Sequence, residues 1–371
     1  MQVVPVLEKI EPSRAKAPSA TIFNIEIAAV ATAVPENRIS QDETKARAIR
    51  YYPQFAHMES LYSNTGIATR YCVEPTEWYL QPRTWEERTK SFQHHSLDLL
   101  EKVATNAIAE AGLACEDIDA LVVNTITGLA IPSLDAMLMN RLPFRGDIER
   151  LPIFGFGCGG GVAGLARATR LAAGMPGSNV LFLTVDLCTL CLRINDPQLA
   201  MFVSAALFGD GAAAVVVRNQ SEDGPSRSRR APRIAAVGEH FWRDTERIMG
   251  WDIMGDGFGV VLSPQLPALL HERLGEAVDR FLADNGMTRG DLAGFLVHPG
   301  ASKLLDVAER ILDLPRGGLI QSRDTLRGYG NMSSATALFV LKQAFGDGLT
   351  GRHLLIAFGP GFSVYFVVVD L

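Results

Sequence analysis

GFGCGGGVAGLAR, residues 155–167, and GYGNMSSATALFV, residues 328–340, are two versions of one segment, with Cys158 and Asn331 at equivalent positions. EAGLACEDIDALVVNT, residues 110–125, aligns without gaps to DNGMTRGDLAGFLVHP, residues 284–299. This second match pairs Gly112 with Gly286, Asp117 with Asp291 and Asn124 with His298. A third echo follows in the same order: FGDGAAAVVV from Phe208 and FGPGFSVYFVVV from Phe358. Self-similarity at this scale marks a duplicated unit. Two copies packed about a pseudo-twofold axis bring equivalent segments together, so Cys158, His298 and Asn331 are expected to meet.

The chain has 371 residues, 47% of them hydrophobic, which is enough for a large core in two domains or two halves of one. Its net charge of -6 argues against a nucleic-acid binder, for which a basic surface is expected. No uninterrupted apolar run reaches the length of a membrane span, and MQVVPVLEKIEPSRAKAPSA lacks the apolar centre of a secretory signal. The expected location is cytoplasmic. Five cysteines fit a reducing compartment better than a disulfide framework. Cys188 and Cys191 form a CTLC pair with no second pair or nearby histidine, so they read as small core or pocket residues and no metal is expected.

Residues 1–20 read as an N-terminal arm, 21–220 as a first half carrying the cysteine, 221–232 as a linker rich in Ser, Pro and charge, and 233–371 as a second half with the histidine and asparagine. IFNIEIAAVATAVP reads as a strand ended by Pro35. LDLLEKVATNAIAEAG places Leu97, Leu100, Ala104, Ala107, Ile108 and Ala111 on one helical face before Gly112. The apolar runs ALVVNTI, LPIFGFG, NVLFLTVDL and GAAAVVVR alternate with helices in the manner of strands buried on both faces. The second half repeats that order from IAAVGEH to FSVYFVVVD. The expected α/β fold is two mixed sheets with helices outside and the two helices of the matched segments sandwiched between them.

Cys158 follows the strand LPIFGFG and precedes a helix, where unpaired amides and the helix dipole favour a thiolate. The flanking glycines leave room for a thioester, which suits an acyl-enzyme nucleophile; the alternative is a buried cysteine in a tight turn. His298 ends an apolar strand before Pro299 and Gly300. It is either a satisfied structural residue or an imidazole aimed into a cavity, where it would pair with the thiolate and stabilise an oxyanion. Asn331 offers an amide donor that neither attacks nor titrates. Its alternative is a helix N-cap, a role open to Ser333 as well.

These motifs resemble those of the type III polyketide synthases, the chalcone and stilbene synthase group within the thiolase-like condensing enzymes. GFGCGGGVAGL, LFGDGAAAVVV, HPG, GYGNMSSA and AFGPGF fall in family order, and the resemblance runs from about residue 24 to the C-terminus. It implies a thiolase-like duplicated αβαβα fold and an acyltransferase needing no cofactor beyond coenzyme A thioester substrates. Cys158 would take an acyl starter from CoA or from an acyl carrier protein. His298 and Asn331 would bind malonyl-CoA for decarboxylation, and the resulting enolate would attack the Cys158 thioester in repeated Claisen condensations before cyclisation. Phe208 matches a gatekeeper aromatic, or else is plain core. Gly359, Pro360 and Gly361 match the terminal loop.

The departures from the family pattern point to specificity. Val260 stands where the family has a second gatekeeper phenylalanine, and Trp251 where many plant members have glycine. Ile131 takes the place of the methionine that reaches the partner's cavity, so the resemblance implies a homodimer. The plant enzymes' basic CoA-phosphate cluster is reduced to Arg70, with Lys303 as a substitute or as an ordinary surface charge. The overall look is similar to that of bacterial synthases making alkylresorcinols or alkylpyrones from long acyl starters. The alternatives are a malonyl-CoA-only synthase of polyhydroxylated aromatics and a ketoacyl-ACP synthase performing one condensation. A papain-like protease shares the order Cys, His, Asn but not the CGSCW context, and a silent dimeric scaffold would not keep the three residues.

Overall fold

The computed structural model describes residues 25–219 and 231–371, so the expected arm and most of the expected linker lie outside the described residues. The first half contains β1 (Ile25–Ala33), β2 (Asn37–Ser40), α1 (Gln41–Tyr51), α2 (Ser60–Ser63), β3 (Thr69–Cys72), α3 (Trp85–Glu110) and β4 (Ala120–Thr125). It continues through α4 (Leu134–Leu138), β5 (Glu149–Phe154), α5 (Gly160–Ala173), β6 (Asn179–Leu187), α6 (Leu199–Leu207) and β7 (Asp210–Asn219). The second half contains β8 (Arg233–Phe241), β9 (Met249–Met254), β10 (Gly257–Leu262), α7 (Leu266–Asp284), β11 (Gly294–Val297) and α8 (Ser302–Ile311). It ends with α9 (Ile320–Tyr329), α10 (Ser334–Gly346), β12 (Arg352–Gly359) and β13 (Ser363–Asp370).

Strand order makes the duplication explicit. The main sheet runs β11-β12-β13-β8-β1-β7-β6-β4-β5, so β4-β6-β7-β1 mirrors β11-β12-β13-β8 about its centre. Pairing agrees as well: β4 with β6 and β11 with β12 are parallel, while the corresponding later pairs are antiparallel. The two expected mixed sheets are thus present as halves of one nine-stranded run. They join where Ile25 faces Ile234 and Glu26 faces Arg233.

Alternation along the strands sorts side chains into layers. In β7, Ala213, Val215 and Val217 point to a central core with Val162, Leu165 and Ala166 of α5 and Ala335, Leu338 and Leu341 of α10; Tyr365, Val367 and Val369 of β13 enter the same core. The intervening Ala212, Ala214 and Val216 pack under α3. Val364, Phe366 and Val368 pack under α7 and α8. This produces five layers with α5 and α10 in the middle. They come close at equivalent positions, 161 and 334: a Cβ on Gly161 would lie 2.1 Å from the Ser334 carbonyl oxygen. The pseudo-twofold relation therefore passes beside segments 155–167 and 328–340.

Two expectations shift. The long helix begins at Trp85, well before Leu97, because Thr84 and Glu87 form a reciprocal capping box and the polar first turns still bury Arg88, Ser91 and Phe92. The third echo is equivalent only in its strand portion. Val185 pairs with Ala212 as Phe358 pairs with Val364, which aligns residues 212–217 with 364–369. Residues 188–207, including α6, are inserted before Phe208, whereas β12 turns directly into β13 through Pro360–Phe362. Phe208 and Phe358 are consequently not counterparts.

Candidate active site

Strand β5 delivers the chain to a turn in which Gly155 and Gly157 have φ of +102° and +50°, conformations that favour glycine. Cys158 follows in a single 3-10 turn, Gly157–Gly159, at the start of α5. The glycine beside the sulfur serves packing more than substrate approach: a Cβ on Gly157 would meet the Pro360 ring at 2.6 Å. The loop Gly359, Pro360, Gly361 thereby buttresses the nucleophile turn.

Asn331 comes from the equivalent place in the other half. Its backbone N-H donates to Leu207, its carbonyl accepts from Gly209, and a parallel bridge sets it beside Phe208. Its side-chain oxygen and nitrogen lie 3.9 and 4.0 Å from Cys158 Sγ. The same nitrogen donates to Gly300 O at 3.2 Å, and the side-chain oxygen accepts from Ser333 N at 2.9 Å. Asn331 is therefore a clamp across the two segments. Ser333 takes the N-cap position of α10 without a side-chain cap bond.

His298 directly follows β11 and is 3% exposed, its N-H held by Ile356 O. Neither ring nitrogen finds a hydrogen-bond partner among the described residues. A Cβ on Gly300 would sit 3.8 Å from His298 Nε2, so the ring and the Asn331 amide flank the same residue. Buried, unspent donors and acceptors of this kind are kept at sites that handle charge.

Burial dominates the electrostatics. It pushes the Cys158 thiol up to about 11, against hydrogen bonds from Ser333 and Asn331 that pull it down. It holds the His298 imidazolium down, to about 3. Burial thus works against the expected thiolate-imidazolium pair, because desolvation disfavours the charged form of both groups and opposes the helix-terminal effect.

Sequence reading missed the support beneath the sulfur. Asp186 of β6 is fully buried and accepts from Ile126 N at 2.8 Å, from Ser334 N at 2.9 Å and from the Ser334 hydroxyl. The Ser333 side chain lowers both the Cys158 thiol and the Asp186 carboxyl against the effect of burial. Ser333 holds this place with φ +50°, a strained conformation for a residue with a side chain. The available signal was an aspartate interrupting the apolar run NVLFLTVDL. Cys188 and Cys191 lie buried in the next turn, both thiols raised by burial.

The specificity positions fall in two groups. Trp251 packs on Phe208 with ring centroids 6.2 Å apart and on Phe258 at 6.1 Å, and Phe258 in turn packs on Trp85 at 5.0 Å. Val260 is the cross-strand neighbour of Trp251 in the β9-β10 hairpin and packs towards Tyr52, Met201 and Phe202. Ile131 lies apart on the surface, 98% exposed. Lys303 is exposed in the first turn of α8, five residues after His298.

Arg70 corrects the sequence reading. It is 2% exposed, and its terminal nitrogens donate to Gln41 and to the carbonyls of Ala205, Ala206 and Phe208. A guanidinium locked between β3 and α6 has no surface to offer a CoA phosphate.

Comparison with known proteins follows the same two halves. A family model described as chalcone and stilbene synthases, N-terminal domain, matches residues 11–221, and its C-terminal counterpart matches 234–370. The chain is 38% identical over 352 residues to a 1,3,6,8-tetrahydroxynaphthalene synthase of Streptomyces peucetius subsp. caesius, covering 92% of each protein. It is 29% identical to a phloroglucinol synthase of Pseudomonas fluorescens, covering 90% of this chain and 95% of that one. Among solved structures, the 1,3,6,8-tetrahydroxynaphthalene synthase of Streptomyces coelicolor A3(2), a bacterial type III polyketide synthase, superposes with a TM-score of 0.87 at 30% identity. That match covers 93% of this chain and 99% of that one.

Proposed function

The chain belongs to the chalcone and stilbene synthase family of type III polyketide synthases, and from that membership we propose that it builds a polyhydroxylated aromatic from malonyl-CoA alone. Cys158, once its proton has passed to solvent, attacks the thioester carbonyl of the first malonyl-CoA, and the CoA thiolate leaves and is protonated from solvent. At the second malonyl-CoA, the Asn331 amide and the neutral His298 N-H hold the thioester oxygen while the carboxylate departs as carbon dioxide. The enolate charge grows on an oxygen already facing donors. Its carbon attacks the acyl-Cys158 carbonyl, the C-S bond breaks, and the extended chain can return to sulfur.

The observation that carries the product reading is the filled space beside Trp251. Phe208, Trp251, Phe258 and Trp85 form a continuous aromatic row. Beyond it the Phe92 ring lies where a Cβ on Gly128 would stand, 2.3 Å away. Past this row no channel is open, among the described residues, to the long alkyl tail that an alkylresorcinol or alkylpyrone synthase requires. A short polyketide needs none.

Homodimerisation is part of the same proposal. Edge strand β5 exposes Leu151 and Phe154, and the loop after β4 exposes Leu129 and Ile131. An apolar, unpaired edge is normally covered. The partner copy would cover it and receive Ile131.

The test is product analysis of purified protein given malonyl-CoA alone and with hexanoyl-CoA or stearoyl-CoA. A single aromatic product from malonyl-CoA alone is expected. Alkyl-substituted products formed at higher specificity constants with the longer starter would replace this reading by the alkylresorcinol or alkylpyrone one.

A further inference from the structure

The β9-β10 hairpin carries Trp251 and Val260, and it forms a two-stranded sheet of its own beside the nine-stranded one. A hairpin of two strands has little stability in isolation, so groups outside it must fix where Trp251 stands. Strand β10 rests on α6 and on the turn at 188–191. At the tip, two bonds cross from the first half of the chain: the Trp85 indole N-H donates to Met254 O at 2.8 Å, and Arg193 Nε donates to Asp256 Oδ1 at 2.7 Å.

Arg193 is itself firmly seated. Its side chain is 11% exposed, its Nη1 donates to Asp196 Oδ2 at 2.9 Å, and its carbonyl oxygen accepts from the Tyr52 hydroxyl at 3.2 Å. The guanidinium also reaches along β10: a Cβ on Gly259, the residue before Val260, would lie 3.5 Å from Nη1. Asp196 belongs to the same segment as Arg193 and keeps the guanidinium in place, whereas Asp256 belongs to the hairpin and is the partner that ties its tip down. Charge-assisted bonds of this kind are short and directional, which suits them to fixing a position. His298 and Asn331 stand on other elements, so the bond bears on the hairpin and not on the donors to the enolate.

We propose that Arg193 is a positioning residue for product specificity: through Asp256 it holds the hairpin so that the Trp251 ring stays against Phe208 and walls the space in which the polyketide folds. The proposal rests on the reading of Trp251 as such a wall. With the bond broken, the tip moves off, the ring withdraws and water enters. Water or an enol oxygen of the chain then attacks the acyl-Cys158 carbonyl, the C-S bond breaks, and the nucleophile's proton ends on sulfur. The products are acids and lactones in place of the folded aromatic.

The test measures labelled carbon dioxide release and resolves the products by mass spectrometry, for purified full-length variants given malonyl-CoA and any starter that the unmodified protein uses. Asp256→Asn, at the half-exposed turn, should leave carbon dioxide release within about twofold and lower the ratio of aromatic to acid and lactone roughly fivefold, as a partly exposed ion pair allows. Asp256→Glu, which keeps the charge, should restore most of the ratio. Arg193→Gln should shift it as Asp256→Asn does, and the double variant no further, because both lose one bond. Thermal melting checks that each variant is folded, and Asp256→Asn decides alone if Arg193→Gln is not. Each ratio is compared with that of the unmodified protein on the same substrates, so a failed malonyl-only reading changes the substrates and leaves this test standing. An unchanged ratio in folded Asp256→Asn, no recovery in Asp256→Glu, carbon dioxide release falling as far as the ratio, or effects that multiply in the double variant would overturn the proposal.

Discussion

Raising the pH should speed alkylation of Cys158 without a plateau across the range in which the protein stays folded. Burial places this thiol at about 11 in the fold, against 9.0 for the free group. At pH 7.5 only about three thiols in ten thousand are then ionised, and each further pH unit multiplies that fraction by about ten. The sign for stability follows from the same shift. The protonated form is the one the fold favours, so its contribution is complete below pH 9 and is lost as pH rises through 11, by at most about 2.7 kcal/mol. The assay is the rate of iodoacetamide labelling of Cys158 between pH 6 and 9.5, followed by peptide mass spectrometry so that partly exposed Cys115 is counted separately. Because His298 is neutral and no salt partner of the sulfur, His298→Gln should leave the labelling profile nearly unchanged while condensation is lost. A plateau below pH 8 that disappears in His298→Gln would mean a thiolate-imidazolium pair exists in the free protein, and the argument from burial would fail.

Other substitutions probe the support and the walls of the site. Gly161→Ala forces a methyl group to within 2.1 Å of the Ser334 carbonyl and should cost about 1 to 3 kcal/mol in urea unfolding, with turnover falling as α5 and α10 separate. Asp186→Asn turns an amide nitrogen towards the N-H donors of Ile126 or Ser334; a loss of about 1 to 3 kcal/mol is expected, and an unchanged melting curve would contradict it. Asn331→Ala removes a donor to the growing enolate and should slow labelled carbon dioxide release from malonyl-CoA by roughly 100- to 1,000-fold. Trp251→Gly takes the central ring out of the aromatic row and should broaden the products towards longer or alkyl-substituted chains, read by mass spectrometry.

What the sequence revealed depends on the range of the interaction. The internal matches at Cys158 and Asn331 were legible because duplicated segments pack against each other, and the strand order repeats as they imply. The five layers were legible from apolar strands without polar alternation, since helices cover both faces. Ionisation was not. The helix-start argument for a thiolate is local, whereas the desolvation of Cys158 and His298 is set by elements drawn from both halves. Arg70 misled for the same reason: a lone arginine in a polar stretch looks exposed until Gln41 of α1 and the end of α6 close over it. Asp186 was visible as an acid in an apolar run, yet its meaning needed the Ser333 turn, which lies 147 positions away and whose backbone conformation no residue pattern announces. The duplication thus told which segments would meet. It could not tell how dry the meeting place would be, and that dryness decides whether the sulfur waits as a thiolate or must first give up its proton.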